Sequence, residues 1–301
     1  MEVLPEELPA FLRTPEVAAE VTLLGRELDR SKGSGTIHDR ERDPGHYVNL
    51  DDDGNVMGGV PLNPLPASRE AYDTALRAKG FTQYQVGYLP YSIIDGWQQL
   101  RKDFAYWRAD VVAARSAVDP EHRAWFEADR RLREKLIVRD LGIWSHYIGD
   151  ASQPLHVSMH YNGWGNYPNP RGFTTSNKLH AQFEGEYVRR FANRAAVKSA
   201  IAPYKACECG IEERMRMIIL DSQAQVVPLY ELEQRGAFKG KSDEGVAFIT
   251  ARLAVGSSML RDMIVDVWRA SADMGVGYPI INVRDIESGK RMITPKDFGG
   301  D

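Results

Sequence analysis

Five residues in one stretch of the chain carry side chains that bind divalent metal ions well. They form two imidazole–carboxylate pairs and one further histidine: His146 and Asp150, His180 and Glu184, and His156. The members of each pair are four residues apart, which on an α-helix puts both side chains on one face. Zinc accepts such mixtures of nitrogen and oxygen ligands. The spacing therefore predicts a metal site built from this stretch.

The alternative is a metal-free core in which these groups pair with one another. Asp150 follows the segment 136–148, which is apolar nearly all round and predicts a buried helix. A buried carboxylate is strongly destabilising unless it is paired or bound to a metal. A salt bridge would also meet this need, so histidines that are paired internally remain an alternative to ligation.

The pattern along the chain predicts an all-α protein formed as one domain over residues 1–301. Thr14 followed by proline signals a helix start, and Pro154 ends the helix that carries the first pair. A loop rich in glycine, asparagine and aromatic residues, at about 157–175, separates that helix from the one that carries the second pair. Residues 31–66 are rich in Gly, Pro and Asp and are expected to be irregular. Counting the helix that starts near Thr14 and the helix that carries the first pair, helices are expected at about 14–28, 68–79, 91–117, 119–149, 210–235 and 243–273.

The composition excludes some classes of function. The formal net charge is −4 at pH 7, so the chain lacks the basic surplus that tight duplex binding through phosphate neutralisation requires. No apolar run is long enough to span a membrane. The acidic N-terminus lacks the features of a signal peptide, so the sequence as written predicts retention inside the cell. Cys207 and Cys209 are separated by one residue, too close for an easy unstrained disulfide.

Four short motifs surround the candidate ligands. They are His146-Tyr-Ile-Gly-Asp150, Gln153-Pro-Leu-His156, Asn177-Lys-Leu-His180 and Gly45-His46-Tyr-Val-Asn49. Together they resemble the superfamily of bacterial zinc-dependent phospholipase C and the single-strand-specific nucleases of fungi and plants. The resemblance covers roughly residues 8–190. Asp29 is the best match for an aspartate that precedes the Gly-His segment in that family.

The resemblance implies an all-helical fold that holds a cluster of three zinc ions. Asp29, His46, His146 and Asp150 would bind the first ion, and His156, His180 and Glu184 the second. In the family, an N-terminal tryptophan, a nearby histidine and the aspartate that matches Asp150 bind the third.

The third site lacks most of these ligands in this chain. No tryptophan precedes Trp97 and no histidine precedes His38. We expect that the true start lies upstream and supplies a signal peptide as well as these ligands, in which case the protein is periplasmic or secreted. The alternatives are a protein with two ions and a third site in which His38 and Asp39 substitute.

The resemblance also implies the activity, a zinc-dependent hydrolysis of phosphodiester bonds. The expected protein is a monomeric nuclease that acts on single-stranded DNA or RNA. Asp29 and Asp150 are the predicted catalytic residues, Asp150 as a bridge between ions and Asp29 as an acceptor of a proton from water. One alternative is a phospholipase C that acts on phospholipid head groups, and another is a helical protein that holds zinc without catalysis.

Aromatic residues near the ligands are candidates for substrate binding. Tyr47 stands where the similar nucleases carry a ring that stacks on a base, and Asn49 stands where they carry a base-reading aspartate. Trp164, Tyr167 and Phe173 lie in the loop between the ligand helices and are expected to widen this platform, unless they only pack the loop. A phospholipase would place similar rings around a choline ammonium.

Overall fold

Helices dominate the computed structural model, which describes residues 1–299, so the all-α expectation is confirmed. The helices, in chain order, are α1 (Pro15–Leu24), α2 (Glu27–Arg30), α3 (Thr36–Arg42), α4 (Arg69–Arg77), α5 (Gln83–Val86), α6 (Leu89–Ser116), α7 (Pro120–Ser152), α8 (Arg189–Phe191), α9 (Arg194–Ala200), α10 (Ile211–Gln223), α11 (Val226–Gln234), α12 (Asp243–Ser271) and α13 (Val283–Glu287). Short 3₁₀-helices lie at Ala10–Arg13, Asp43–His46, Pro154–His156 and Pro295–Phe298, and a π-helix lies at Ala181–Val188. The strands β1 (Gly275–Val276) and β2 (Ile281–Asn282) pair antiparallel.

The internal contacts of the chain divide it into two compact units. The first unit comprises Met1–Arg30, Asp95–Ser145 and the residues from Arg261 onward. The second unit comprises Ser31–Ile94 and His146–Leu260. The expectation that the chain acts as one domain stays a prediction.

The core of the first unit packs the β1–β2 hairpin and α13 against α6 and α7. Ala105, Ala109 and Ala113 are buried at four-residue spacing on α6, where their small side chains let other elements approach closely. Phe126 of α7 and Val276 of β1 belong to the same apolar cluster.

The core of the second unit is aromatic and positions the helix of the second candidate pair. Phe183 and Tyr187 are buried on the π-helix, where they pack with Trp164, Phe173 and Tyr230. Burial of each such ring contributes on the order of 1.5–3 kcal/mol. The face of the π-helix that carries Phe183 and Tyr187 is therefore held against the core.

The C-terminal end of α7 is held by side chains from α10 and α12. The Ser222 hydroxyl donates to the carbonyl of Ala151 at 2.6 Å, and the Arg252 guanidinium donates to the carbonyl of Ser152 at 3.0 Å. Carbonyls at a helix end lack partners within the helix, and a cation there also complements the helix dipole. The last turn of α7, which carries Asp150, is therefore rigidly placed.

Most predicted helices are present, but the helix expected at 14–28 is interrupted between α1 and α2, and two further expectations are wrong. Thr14 caps α1 as expected, since its hydroxyl accepts from the amide of Val17 at 3.3 Å. Residues 31–66 are not irregular throughout, because α3 lies within them. That helix has no buried residue, so no apolar periodicity announced it. The helix expected at 210–235 is interrupted, since α10 ends at Gln223 and α11 begins at Val226.

Over residues 1–299, no helix combines the length and the apolar character needed to cross a lipid bilayer.

Candidate metal centre

Backbone hydrogen bonds of the residues just after His46 hold this histidine in place. The amide of Val48 donates to the carbonyl of His156 at 2.9 Å, and the amide of Asn49 donates to the carbonyl of Val86 at 2.7 Å. Gly87 allows this approach: its φ is +83°, and a Cβ there would lie 2.0 Å from the carbonyl oxygen of Tyr47. The His46 ring, 5% exposed, is thereby fixed beside the last turns of α7.

His46 joins the first candidate pair, and we call His46, His146 and Asp150 the first ligand group. Nδ1 of His46 lies 3.1 Å from Oδ2 of Asp150 and 3.1 Å from Nε2 of His146. The same oxygen of Asp150 lies 3.5 Å from Nε2 of His146. Three potential ligand atoms thus converge from a 3₁₀-helix and one face of α7, and the four-residue spacing predicted the two that lie on α7.

The second ligand group consists of His156, His180 and Glu184. Oε2 of Glu184 lies 2.9 Å from Nε2 of His180 and 3.2 Å from Nε2 of His156. One ligand atom from each residue lies within 4.8 Å of the others, so the group could hold a metal ion. Glu184 lies on the π-helix Ala181–Val188, which begins directly after His180, and π-helical turns are often found at functional sites.

The hydrogen bonds of the two histidines show why this second group suits a cation. Nδ1 of His156 donates to the carbonyl of His46 at 2.8 Å, and Nδ1 of His180 donates to the carbonyl of Tyr161 at 3.1 Å. A neutral imidazole has only one N–H. Each neutral ring therefore turns an Nε2 lone pair toward the Glu184 carboxylate, which also carries only acceptors. Three acceptor atoms that meet in this way are stabilised by a cation between them.

Without a metal ion, a proton on His156 supplies part of the positive charge between these acceptor atoms. Burial acts to lower the pKa of His156, but the carboxylates of Asp150 and Glu184 outweigh it and raise the pKa to about 9. Oδ1 of Asp150 lies 3.6 Å from Nδ1 of His156, so Asp150 stands between the two ligand groups. Burial acts to raise the pKa of Glu184, yet the neighbouring side chains of His156 and His180 hold it well below its ordinary value. A metal ion would displace the proton of His156.

Gln153 is a further member of the centre, for which the sequence predicted no role. Its Nε2 donates to Oε2 of Glu184 at 2.9 Å and lies 3.3 Å from Nε2 of His180. Its Oε1 accepts from the amide of Leu155, so the residue also caps the 3₁₀-helix Pro154–His156. Shorter polar residues are preferred at a cap position. The glutamine before Pro154 was therefore the feature of the sequence that could have indicated a second role for this side chain.

A cavity of about 590 Å³ lies beside the second ligand group. His156 and His180 form part of its wall, and among residues 1–299 no Asp or Glu lines it. Two methionines, Met57 and Met159, and two amides, Asn49 and Gln85, also line it. Its aromatic lining residues are Tyr47, Phe81, Tyr84, Tyr161 and Tyr167.

The predicted substrate-binding residues differ in where the structure places them, and their part in binding substrate stays a prediction. Tyr47, Asn49 and Tyr167 line the cavity as the substrate hypothesis requires. Trp164 and Phe173 do not: they are 6% and 3% exposed and pack against Tyr230. The packing alternative therefore describes these two rings, because a buried ring offers no free face for stacking.

Phe81, Tyr84 and Tyr161 are cavity residues that the sequence did not single out. Tyr161 directly precedes the Asn162 side chain that accepts from the amide of His180 at 3.2 Å. Phe81 and Tyr84 lie around α5, far in the sequence from the ligands of the second group. Their position at the cavity depends on the backbone hydrogen bonds between residues 47–49 and 86–89. No local pattern in the sequence predicts this pairing.

His160 and the pair His38–Asp39 stand apart from the ligand groups. His160 is buried, and its Nε2 lies 2.9 Å from Oδ1 of Asp52, so it is a satisfied core histidine. Nδ1 of His38 lies 3.1 Å from Oδ1 of Asp39. Neither histidine belongs to a cluster of three potential ligands among residues 1–299. The third ion and its substitute ligands stay predictions.

Two further sequence expectations concern Asp29 and the cysteines. Asp29 lies on α2 in the first unit, and its part in binding an ion or a proton stays a prediction. Cys207 and Cys209 form a disulfide across one intervening residue. Their Cα atoms are 5.1 Å apart, within the range that a disulfide accepts.

No family model, curated protein or solved structure matches this chain. The likeness to the zinc phospholipases and single-strand nucleases is therefore carried by the motifs alone. What the structure adds is the convergence of residues from those motifs into two ligand groups.

Proposed function

We propose that this protein is a zinc-dependent phosphodiesterase that cleaves single-stranded nucleic acid. The observation that carries the proposal is the second ligand group, where two Nε2 lone pairs and a carboxylate oxygen meet while both Nδ1 atoms donate to backbone carbonyls. This donor set of two imidazoles and one carboxylate is typical of catalytic zinc sites, which leave a coordination position open.

The residues of the two groups have distinct parts in the proposal. His156, His180 and Glu184 would hold one ion, and His46, His146 and Asp150 would contribute to another. When bound, zinc lowers the pKa of a coordinated water and draws charge from phosphate oxygens. Asp150 orients the centre, because its two oxygens face different groups: Oδ2 lies near His46, and Oδ1 lies near His156.

The cavity supports a nucleic-acid substrate over a phospholipid. A nucleobase is planar and uncharged and stacks on aromatic rings, which the cavity supplies beside His156 and His180. A choline head group is cationic and gains from an acidic residue as well as from aromatic faces. Since no Asp or Glu of the described residues lines the cavity, the base is the better fit. The phospholipase remains the alternative substrate class.

A direct assay separates the candidate activities. Zinc-loaded protein is incubated with single-stranded DNA, single-stranded RNA and a chromogenic phosphocholine ester. We expect cleavage of the nucleic acids and little turnover of the ester. His180→Gln should abolish cleavage, whereas His122→Gln should retain it, because His122 is a half-exposed histidine outside both groups.

The outcomes assign the protein to one class. Turnover of the ester alone would favour a phospholipase C. Activity on none of the substrates, with zinc held tightly by elemental analysis, would favour a non-catalytic zinc protein. A chain that binds no zinc, and whose melting temperature is insensitive to chelator, would contradict the whole proposal and favour the internally paired histidines.

A further inference from the structure

We infer that Gln153 is the positioning residue of the second ligand group, which holds the Glu184 carboxylate in place for the cation. The inference rests on the proposed function, because it concerns how this chain prepares that metal site. It depends on three contacts of one side chain: to Leu155, to Glu184 and to His180.

The orientation of the Gln153 amide is determined by the backbone. Oε1 accepts from the amide N–H of Leu155, and only an oxygen can accept there. The amide nitrogen must then face the other way, where it donates to Oε2 of Glu184 at 2.9 Å. The ambiguity between oxygen and nitrogen that usually attends a glutamine is therefore resolved by its partners.

The main chain of Gln153 is also fixed. Its amide donates to the carbonyl of Asp150 at 3.0 Å, and its carbonyl accepts from the amide of His156 at 3.0 Å. Pro154 follows, which restricts the backbone of the preceding residue to an extended conformation, as the φ of −94° and ψ of 116° show. Gln153 thus stands on a rigid link between the two ligand groups.

Glu184 is the ligand that most needs a positioning contact. Its side chain is 46% exposed, against 15% for His156 and 27% for His180. A histidine that binds a cation through Nε2 cannot donate from that atom. Among the side chains of residues 1–299 that contact Oε2, Gln153 is then the one that carries an N–H, so it holds the carboxylate toward the group.

The choice of glutamine follows from the same geometry. Asn, Asp and Ser are the preferred residues at the cap of a helix, where a short side chain reaches the backbone amide. Glutamine is one methylene longer than asparagine. The longer side chain lets one residue both cap the turn at Leu155 and reach Glu184.

Two variants separate the cap from the contact with Glu184. Gln153→Asn keeps an acceptor for the Leu155 amide but is too short to reach Glu184. Gln153→Met keeps the length and loses both hydrogen bonds. Gln182→Asn is the matched control, because Gln182 is exposed on the same π-helix as Glu184.

The readouts are zinc affinity and the absorption spectrum of cobalt-substituted protein, neither of which requires activity. We expect both Gln153 variants to bind the ion of the second group ~10- to 100-fold more weakly than the parent protein, the effect typical of a lost outer hydrogen bond to a ligand. Their cobalt spectra should change, because the coordination of Glu184 changes. Gln182→Asn should match the parent protein in both measurements.

Other results would overturn the inference in distinguishable ways. If Gln153→Asn bound zinc as tightly as the parent protein and Gln153→Met did not, the cap would be responsible and not the contact with Glu184. If both bound zinc normally with unchanged cobalt spectra, Gln153 would have no positioning role, while the proposed function would stand. A parent protein without zinc affinity would overturn both proposals together.

Discussion

Nε2 of His180 lies 2.9 Å from Oε2 of Glu184, although Nδ1 of the same ring already donates to the carbonyl of Tyr161. The neutral ring therefore turns an acceptor toward an acceptor. His156 repeats the arrangement from the other side, with Nδ1 on the carbonyl of His46 and Nε2 at 3.2 Å from the same carboxylate oxygen. A centre of this kind is expected to respond strongly to cations and to pH.

The first prediction concerns zinc stoichiometry. Glu184→Gln removes the only carboxylate of the second ligand group, so we expect the purified protein to hold one zinc ion fewer, as measured by elemental analysis after dialysis. Glu186→Gln serves as the control, since Glu186 is an exposed carboxylate on the same π-helix. Equal zinc content in the two variants would argue against a metal site at Glu184.

The second prediction concerns the stability of chelator-treated protein at alkaline pH. The pKa of His156 is raised from 6.5 to about 9. A raised pKa contributes stability that is fully present below the unfolded value and is lost as pH rises through the folded value. We therefore expect the free energy of unfolding to fall between pH 6.5 and about 9. Urea titrations across this range measure the loss.

Two variants attribute that loss to His156. His156→Gln cannot titrate, so its unfolding free energy should change less over the same range. His122→Gln should retain the profile of the parent protein. Glu184 has a lowered pKa, and its contribution should be lost instead as pH falls below its ordinary value of 4.5. A parent protein with equal stability on both sides of the alkaline range would contradict the assignment.

The third prediction tests the cavity as the place where a base stacks. Tyr161→Ala removes a ring that is 50% exposed at the cavity, while its backbone carbonyl remains to accept from His180. Loss of one stacking contact costs about 1–3 kcal/mol, so KM for single-stranded substrates should rise about tenfold or more while kcat changes less. Tyr278→Ala, at an exposed tyrosine of the first unit, is the control. Unchanged KM in Tyr161→Ala would place the substrate elsewhere.

The fourth prediction concerns a buried carboxylate in the first unit. Asp110 of α6 is fully buried, and neither of its oxygens has a hydrogen-bond partner among residues 1–299. Burial, followed by the neighbouring carboxylate of Asp129, raises its pKa from 3.8 to about 9. A carboxyl with a raised pKa costs stability as pH rises above the unfolded value, by about 1.4 kcal/mol per pH unit.

Asp110→Asn replaces this group by a neutral side chain of the same shape. The variant should gain stability relative to the parent protein as the pH of the urea titration is raised from 4 to 8. Asp119→Asn, at a half-exposed aspartate, should show no such trend. A stability difference that stays constant with pH would show that Asp110 does not titrate as its burial indicates.

Local spacing was enough to predict much of the centre. The pairs His146/Asp150 and His180/Glu184 each lie on one helical face, and their contacts follow from periodicity alone. The end of α7 near Pro154 and the cap at Thr14 follow from the chemistry of proline and of a side-chain oxygen. These features depend on residues that are close together along the chain, so they can be predicted from the sequence.

Only the tertiary structure decided which distant residues meet. His46 lies beside Asp150 across 104 positions, and His156 reaches Glu184 across 28. Both contacts depend on backbone hydrogen bonds between separate segments, such as that from Val48 to the carbonyl of His156. Hydrogen bonds between distant segments produce no periodic pattern of residues, so the sequence does not predict them.

The same limit explains the aromatic residues and Gln153. Trp164 and Tyr161 belong to one loop with one kind of composition, yet packing buries the first and leaves the second half exposed at the cavity. The amide of Gln153 gains its direction only when the Leu155 amide and the Glu184 carboxylate lie on opposite sides of it. The sequence by itself determined which groups were available and where the helices lie. Packing of the folded chain decided which way each group faces, because a side chain's direction depends on neighbours that are close in space and remote along the chain.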